Sequence, residues 1–331
     1  MIFLKITVLG SGSWGTAVAC LFADIGHDIT LWSFKTEERD ALLRDGENKE
    51  FLPGVKIPET VKFTSDFDSL KSADLVVSAV PSHAVRQTAK NIREYYNGCP
   101  ILNISKGLEQ HTLLRLSEVI KSEIEDATVA VMSGPSHAEE VGRKLPTTNI
   151  IACADHDLAK YLQEHLMSRV FRIYTSDDII GVELGGSLKN VIALCAGICD
   201  GLGFGDNTKA ALMTRGIAEI ARLGTVMGAK RETFSGLSGI GDLIVTCTSM
   251  HSRNRRAGIL IGEGMKVSDA IDKVHMVVEG VRTADAAMEL SKKYGVDMPI
   301  CSEAYKVLFE DKPAKDAVYD LMLRGKKSEL E

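Results

Sequence analysis

The sequence predicts an α/β protein, with a Rossmann-like, doubly wound N-terminal domain followed by an all-α C-terminal domain. Three observations predict it. Continuous apolar, β-branched runs alternate with helical patterns through the first half, as in a parallel sheet covered on both faces. A G-x-G-x-x-G run at Gly10, Gly12 and Gly15 follows the first of those runs. Convincing strands then stop near Thr175, and the rest of the chain reads as helix.

The expected strands fall at residues 6–9, 29–32, 74–80, 101–105, 129–132 and 149–153. The first helix is expected at 16–24, ended by Gly26. Helical periodicity later covers 178–199, 208–227, 256–263, 267–273, 280–294 and 302–309. The change of pattern divides the chain into a dinucleotide-binding, Rossmann-like domain, 1–178, and a helical domain, 179–331. The charged tail, 326–331, is expected to fray.

Composition narrows the function classes. A chain of 331 residues has room for two domains and can bury a core without a disulfide or metal staple. With 45% hydrophobic and 25% charged residues it is neither disordered nor fibrous. A net charge of −6 argues against nucleic acid as the main partner. Seven cysteines without a C-x-x-C pair suggest no disulfide framework, so a reducing cytoplasm is the expected compartment. No His or Cys spacing suggests a metal site. No apolar run approaches the roughly 20 residues that span a bilayer, so no membrane insertion is expected. The apolar start carries Lys5 inside it rather than before it, and reads as a buried strand instead of a signal peptide.

The glycine run gains its meaning from its place between a strand and a helix. Gly10 permits the tight turn, Gly12 lets backbone approach a pyrophosphate, and Gly15 allows close helix–strand packing. The helix N-terminus then offers free N–H groups to phosphate. The acid expected at the end of the second strand is missing, because that place reads Leu31-Trp32-Ser33-Phe34-Lys35. NADP is therefore permitted beside NAD. Lys35 and Arg39 are either partners for its extra phosphate or solvated surface charges.

Further candidates stand where ligands bind an open sheet, beyond the carboxyl ends of its strands. Lys106 follows the 101–105 run. Ser133-Gly134-Pro135-Ser136 is either a turn offering N–H groups or a plain turn with Ser136 capping a helix. Lys189 stands among apolar residues just after Gly185-Gly186, a pair that costs a helix roughly 1 kcal/mol per glycine. The glycines imply a close backbone approach. Lys189 itself is either an acid/base with a lowered pKa or a lysine that snorkels to water. Asn207 or Thr208 could cap the helix after the glycine-rich loop 201–205. Asp242, between apolar residues, needs a partner if buried, and a lysine ammonium would suit it. The run Ser252-Arg253-Asn254-Arg255-Arg256, placed before a helix, is a local anion site or a solvated charge cluster.

Taken together, the motifs GSGSWGTA at 10–17, SKGLE at 105–109, SGPSHAEEV at 133–141 and LKNVIAL at 188–194 resemble those of bacterial-type NAD(P)-dependent glycerol-3-phosphate dehydrogenases. GLGFGDNTKAAL at 201–212, LSGIGDLIVTC at 237–247, SRNRRAG at 252–258 and VEG at 278–280 extend the resemblance over nearly the whole chain. It implies reversible reduction of dihydroxyacetone phosphate to sn-glycerol 3-phosphate with NADH or NADPH, feeding glycerophospholipid synthesis, by a homodimer. It also implies that Lys189 is the proton donor and acceptor. Substrate would be lined by Lys106, Gly134, Ser136, Lys189, Asp242, Ser252, Arg253 and Asn254. The cofactor would meet Gly10, Gly12, Ser13, Trp14, Gly15, Phe34, Lys106, Ala138, Arg253, Val277 and Glu279. Phe34 departs from the Arg or His often found at its place, and His137 from a common Phe.

Rival readings differ in testable ways. Another two-domain dehydrogenase, acting on a 3-hydroxy acid or an acyl-CoA thioester, would be expected to use a different catalytic pair, often His–Glu, and no His here sits in such a motif. A nucleotide-sensing module would not need Lys189 and Asp242. A redox-responsive DNA-binding repressor would need a basic reading helix.

Overall fold

The computed structural model describes residues 3–326, 328 and 329. Its sheet has eight strands: β1 (Lys5–Leu9), β2 (Asp28–Trp32), β3 (Lys62–Thr64), β4 (Leu75–Ser78), β5 (Ile101–Asn103), β6 (Val129–Ser133), β7 (Thr147–Ala152) and β8 (Phe171–Ser176). Their order is β3-β2-β1-β4-β5-β6-β7-β8, whose first six positions repeat the doubly wound dinucleotide-binding order. Every residue of β4, β5 and β6 is buried, because helices cover both faces. Those helices are α1 (Ser13–Ile25), α2 (Thr36–Asp45), α3 (Val85–Ile92), α4 (Leu116–Glu123), α5 (Ala138–Gly142) and α6 (His156–Leu166).

The expectation of an all-parallel sheet needs one correction. β7 runs antiparallel to β6, and β8 is parallel to β7. Between β6 and β7 lies only the five-residue α5. At 1.5 Å per residue it cannot run back along a five-residue strand rising about 3.3 Å per residue. The chain therefore re-enters the sheet from the same end. β3 and β8 had no counterpart among the expected strands, being short or half-exposed at the sheet's edges.

Eight helices follow: α7 (Ile179–Gly201), α8 (Asp206–Val226), α9 (Asp242–Thr248), α10 (Arg253–Gly262), α11 (Val267–Val274), α12 (Glu279–Tyr294), α13 (Pro299–Phe309) and α14 (Ala314–Met322). α7 is the centre of this half, and most of its residues are buried. Its 23 residues, with mean hydropathy 1.5 over an 18-residue window, are apolar and long enough to cross a membrane. This corrects the sequence reading that no run comes near that length. The helix is instead wrapped by its neighbours, with 83% of that window buried. Its apolar residues form one core with those of α8, α10, α12 and α13, separate from the cores flanking the sheet.

Glycines let α10 press onto α7. A Cβ on Gly197 would lie 2.0 Å from the Arg255 carbonyl oxygen, and one on Gly258 would lie 2.1 Å from that of Leu194. This contact fixes α10 against the C-terminal half of α7. Two expected caps also change. α8 starts at Asp206 from an N-cap at Gly205 with no side-chain bond, so neither Asn207 nor Thr208 caps it. α10 starts at Arg253, three residues earlier than expected, because the Ser252 hydroxyl accepts the Arg255 N–H at 3.2 Å. The expectation for the tail falls partly on residues outside the described set; within it, the Glu329 carbonyl accepts from Arg215 at 3.0 Å.

Candidate active site

The turn from β1 into α1 carries the glycine run. Gly10 has φ +109°, and its N–H donates to the Trp32 carbonyl at 3.0 Å. A Cβ on Gly15 would lie 1.9 Å from the Gly10 carbonyl oxygen, which only hydrogen tolerates. At Gly12, by contrast, a Cβ would meet no protein atom within 4 Å. Gly12 is the N-cap of α1, which has no side-chain cap and no acid in its first turn. The helix start beside Ser13 and Trp14 is thus an uncapped, positive end facing open space, which fits a dinucleotide pyrophosphate.

Phe34, 74% exposed, stands just past β2 with its ring edge-on to Trp32. Lys35 and Arg39 are engaged nearby: Lys35 pairs with Glu38 at 3.6 Å and Arg39 with Asp40 at 2.6 Å.

Beyond the sheet's carboxyl edge, two lysines converge on one acid. Lys189, on α7, donates to Oδ1 of Asp242 and, at 2.6 Å, to Oγ1 of Thr246. Lys106, following β5, donates to Oδ2 of Asp242 at 2.7 Å and to the Gly134 carbonyl at 3.0 Å. Lys189 is 5% and Asp242 1% exposed, so the snorkelling alternative for Lys189 does not hold. Burial pulls the Lys189 ammonium down to about 8, against the upward pull of Asp242. Burial raises the Asp242 carboxyl, but Lys106 and Lys189 outweigh it and hold the group below the ordinary carboxylate range.

The glycines before Lys189 serve this convergence. A Cβ on Gly185 would lie 2.5 Å from the Ser238 carbonyl oxygen, and one on Gly186 would lie 2.5 Å from Ser133 Oγ. α7 can therefore approach both the end of β6 and the π-turn Leu237–Gly241 that leads into α9. Ser187, one turn on from Glu183, accepts the Gly107 N–H at 3.0 Å and fastens the loop that bears Lys106.

The Gly134 turn has φ +144°, and Ser136 donates to the Gly134 carbonyl at 3.0 Å. Ser136 is not a cap, since the N-cap of α5 is His137. His137 is held weakly by the Val245 carbonyl at 3.4 Å, and burial followed by Lys189 pulls its imidazole down.

At the start of α10, Asn254 is already engaged. Its Nδ2 donates to Asn190 Oδ1 at 3.0 Å, and its Oδ1 accepts the Gly280 N–H at 2.8 Å. One amide hydrogen remains for a ligand. Arg255 is taken by Asp200 at 2.8 Å. Arg253 has no ion pair among the described residues, and burial pulls its guanidinium below its ordinary value. An unpaired, largely enclosed guanidinium is a ready anion ligand. Ala138 is buried, Val277 is half-buried, and Glu279 opens α12.

Most candidates thus gather at two places, the α1 turn and the convergence of β5, β6, α7, α9 and α10, while Phe34 lies past β2 and Val277 and Glu279 lie at the start of α12. Sequence reasoning missed Thr246, Ser187 and Asn190. Thr246 follows Asp242 by one helical turn, a spacing that could have drawn notice.

A dinucleotide fold joined to a buried lysine–carboxylate centre defines a two-domain nicotinamide-dependent dehydrogenase. Comparisons make this specific. Models of the NAD-dependent glycerol-3-phosphate dehydrogenase N-terminus and C-terminus match residues 5–159 and 178–319. A glycerol-3-phosphate dehydrogenase (NAD(P)+) from Moorella thermoacetica is 56% identical over 329 residues, 99% of this chain and 98% of that one. One from Desulfitobacterium hafniense is 53% identical over 99% of this chain and 93% of its own. The crystal structure of glycerol-3-phosphate dehydrogenase from Coxiella burnetii superposes with a TM-score of 0.94 at 38% identity, covering 97% of this chain and 99% of that one. The chain belongs to the NAD-dependent glycerol-3-phosphate dehydrogenase family.

Proposed function

We propose that this protein catalyses the reversible, NAD(P)H-dependent reduction of dihydroxyacetone phosphate to sn-glycerol 3-phosphate, with Lys189 as proton carrier. The observation that carries the reading is the buried Lys189–Asp242 pair beside Lys106.

The α1 turn, with Gly10, Gly12, Ser13, Trp14 and Gly15, would hold the pyrophosphate, and Phe34 would lie along the adenosine. Ala138, Val277, Glu279, Lys106 and Arg253 would complete the cofactor site. Bound nicotinamide supplies the hydride that reduces the ketone carbon. As that carbon is reduced, charge develops on its oxygen, and Lys189 gives that oxygen a proton from Nζ. A lysine near 8 holds the proton at neutral pH yet releases it readily. Asp242 stays ionised, keeps Lys189 charged and fixes the direction of its ammonium. Lys106 adds positive charge at the same oxygen in a water-poor cleft. Gly134, Ser136 and Ser252 line the substrate, while Arg253 and the free Asn254 hydrogen grip its phosphate, so remote binding energy aligns the carbonyl.

We place the domain division at 178/179, between the end of β8 at Ser176 and the start of α7 at Ile179. The protein is read as a cytoplasmic homodimer supplying the glycerol phosphate backbone of phospholipids. Seven free cysteines support the reducing compartment.

The test is absorbance at 340 nm with purified protein, dihydroxyacetone phosphate and either NADH or NADPH. Substrate-dependent oxidation supports the reading. Tight nucleotide binding without turnover would overturn it in favour of a nucleotide sensor.

A further inference from the structure

Ser82 lies just past β4 and reaches across to the first residue of α12. Its hydroxyl donates to Oε2 of Glu279 at 2.7 Å, and its backbone N–H donates to Oε1 at 3.2 Å. Both carboxylate oxygens are thereby held by a residue 197 positions away. Ser82 is 5% exposed, and a Cβ on Gly107 would lie 2.6 Å from its own. It is therefore wedged against the loop that bears Lys106.

The Gly280 N–H donates to Asn254 Oδ1 at 2.8 Å and so joins the start of α12, where Glu279 stands, to the start of α10, where Arg253 stands. Burial lowers the Arg253 guanidinium and the Glu279 carboxylate pulls it back up, yet Arg253 forms no ion pair among the described residues. An acid drawn onto that guanidinium would occupy its fork and cancel the charge a phosphate needs. We propose that Ser82 is a positioning residue for substrate affinity: by holding Glu279 through two hydrogen bonds, it keeps Arg253 open to the substrate's phosphate. The inference rests on reading Arg253 as a phosphate ligand.

The test is a cycle of Ser82→Ala, Glu279→Gln and the double variant. It reads KM for dihydroxyacetone phosphate at saturating NADH, and calorimetric affinity for inorganic phosphate. Loss of a hydrogen bond to a charged group is expected to raise KM and weaken phosphate binding roughly tenfold in Ser82→Ala, with kcat little changed. In the Glu279→Gln background the same alanine is expected to change neither, because a neutral amide brings no charge to Arg253. Equal losses in both backgrounds would overturn the proposal, as would unchanged phosphate affinity in Ser82→Ala. Should Ser82→Ala fail to fold, Ser82→Cys, which keeps the volume with a weak donor, gives the same comparison. Phosphate affinity reads the effect of Ser82 without turnover. A wild type that binds phosphate through Arg253 but reduces no substrate would therefore refute the catalytic reading and leave this one standing.

Discussion

Lys189 and Asp242 form an ion pair sealed between α7 and α9, and Lys106 completes it from the opposite carboxylate oxygen. One acid therefore holds two ammoniums, each from a different part of the chain. Removing one partner of such a buried pair leaves an uncompensated charge, a change that typically costs about 3–5 kcal/mol. Asp242→Asn is accordingly expected to lower the melting temperature and to depress the Lys189 pKa further below about 8. Its reduction rate should fall off at lower pH than that of wild type, by about one unit or more. An unmoved alkaline limb would show that Asp242 does not govern Lys189.

The paired glycines give a prediction of stability. Gly185→Ala would press a methyl onto the Ser238 backbone carbonyl, whereas Gly186→Ala meets the Ser133 hydroxyl, which can rotate away. Overpacking costs about 1–3 kcal/mol. Gly185→Ala is expected at the upper end and Gly186→Ala at the lower, as measured by denaturant unfolding. The reverse order would contradict the packing described.

Asn254 gives a different signature. Asn254→Ala leaves the Gly280 N–H and Asn190 without their partner, which costs about 1–3 kcal/mol. It is expected to reduce both stability and substrate affinity. Arg253→Ala, which breaks no ion pair among the described residues, should raise KM with little change in melting temperature.

Glu219, 3% exposed on α8, accepts the N–H groups of Ile300 and Cys301 at the start of α13. Burial pushes its carboxyl up to about 7, against those hydrogen bonds. A raised folded-state value means that the folded protein binds the proton more tightly than the unfolded chain. The contribution is fully present below the ordinary carboxyl range and is lost as pH rises through about 7. Glu219→Gln, which keeps an acceptor for those N–H groups, is expected to flatten this fall in stability between pH 4.5 and 7. Urea unfolding at several pH values measures it, and an identical pH slope in both proteins would refute it.

Much of this arrangement was legible in the sequence. The β1–α1 turn was readable because only Gly satisfies the contacts at Gly10 and Gly15, and apolar runs marked the central strands. Gly185-Gly186 announced a close approach but could not say to what, because Ser238 and Ser133 lie on other elements. The reversal at β7 left no mark in strand composition; it followed from the shortness of α5. Lys189 alone was ambiguous, since its burial depends on α9 and its partner lies 53 positions away. Ser82 was invisible for the same reason: its contact with Glu279 exists only once the start of α12 is folded against the turn that follows β4.

The most direct test is the pH profile of kcat/KM for dihydroxyacetone phosphate reduction by wild type and Lys189→Ala, followed at 340 nm. Reduction consumes the ammonium proton, so the wild-type rate is expected to fall as pH rises through about 8. The alanine variant should lose that limb and run at least about a hundredfold slower, the usual contribution of a positioned general acid. A variant that keeps the limb, or a rate within a few-fold of wild type, would contradict Lys189 as the proton carrier.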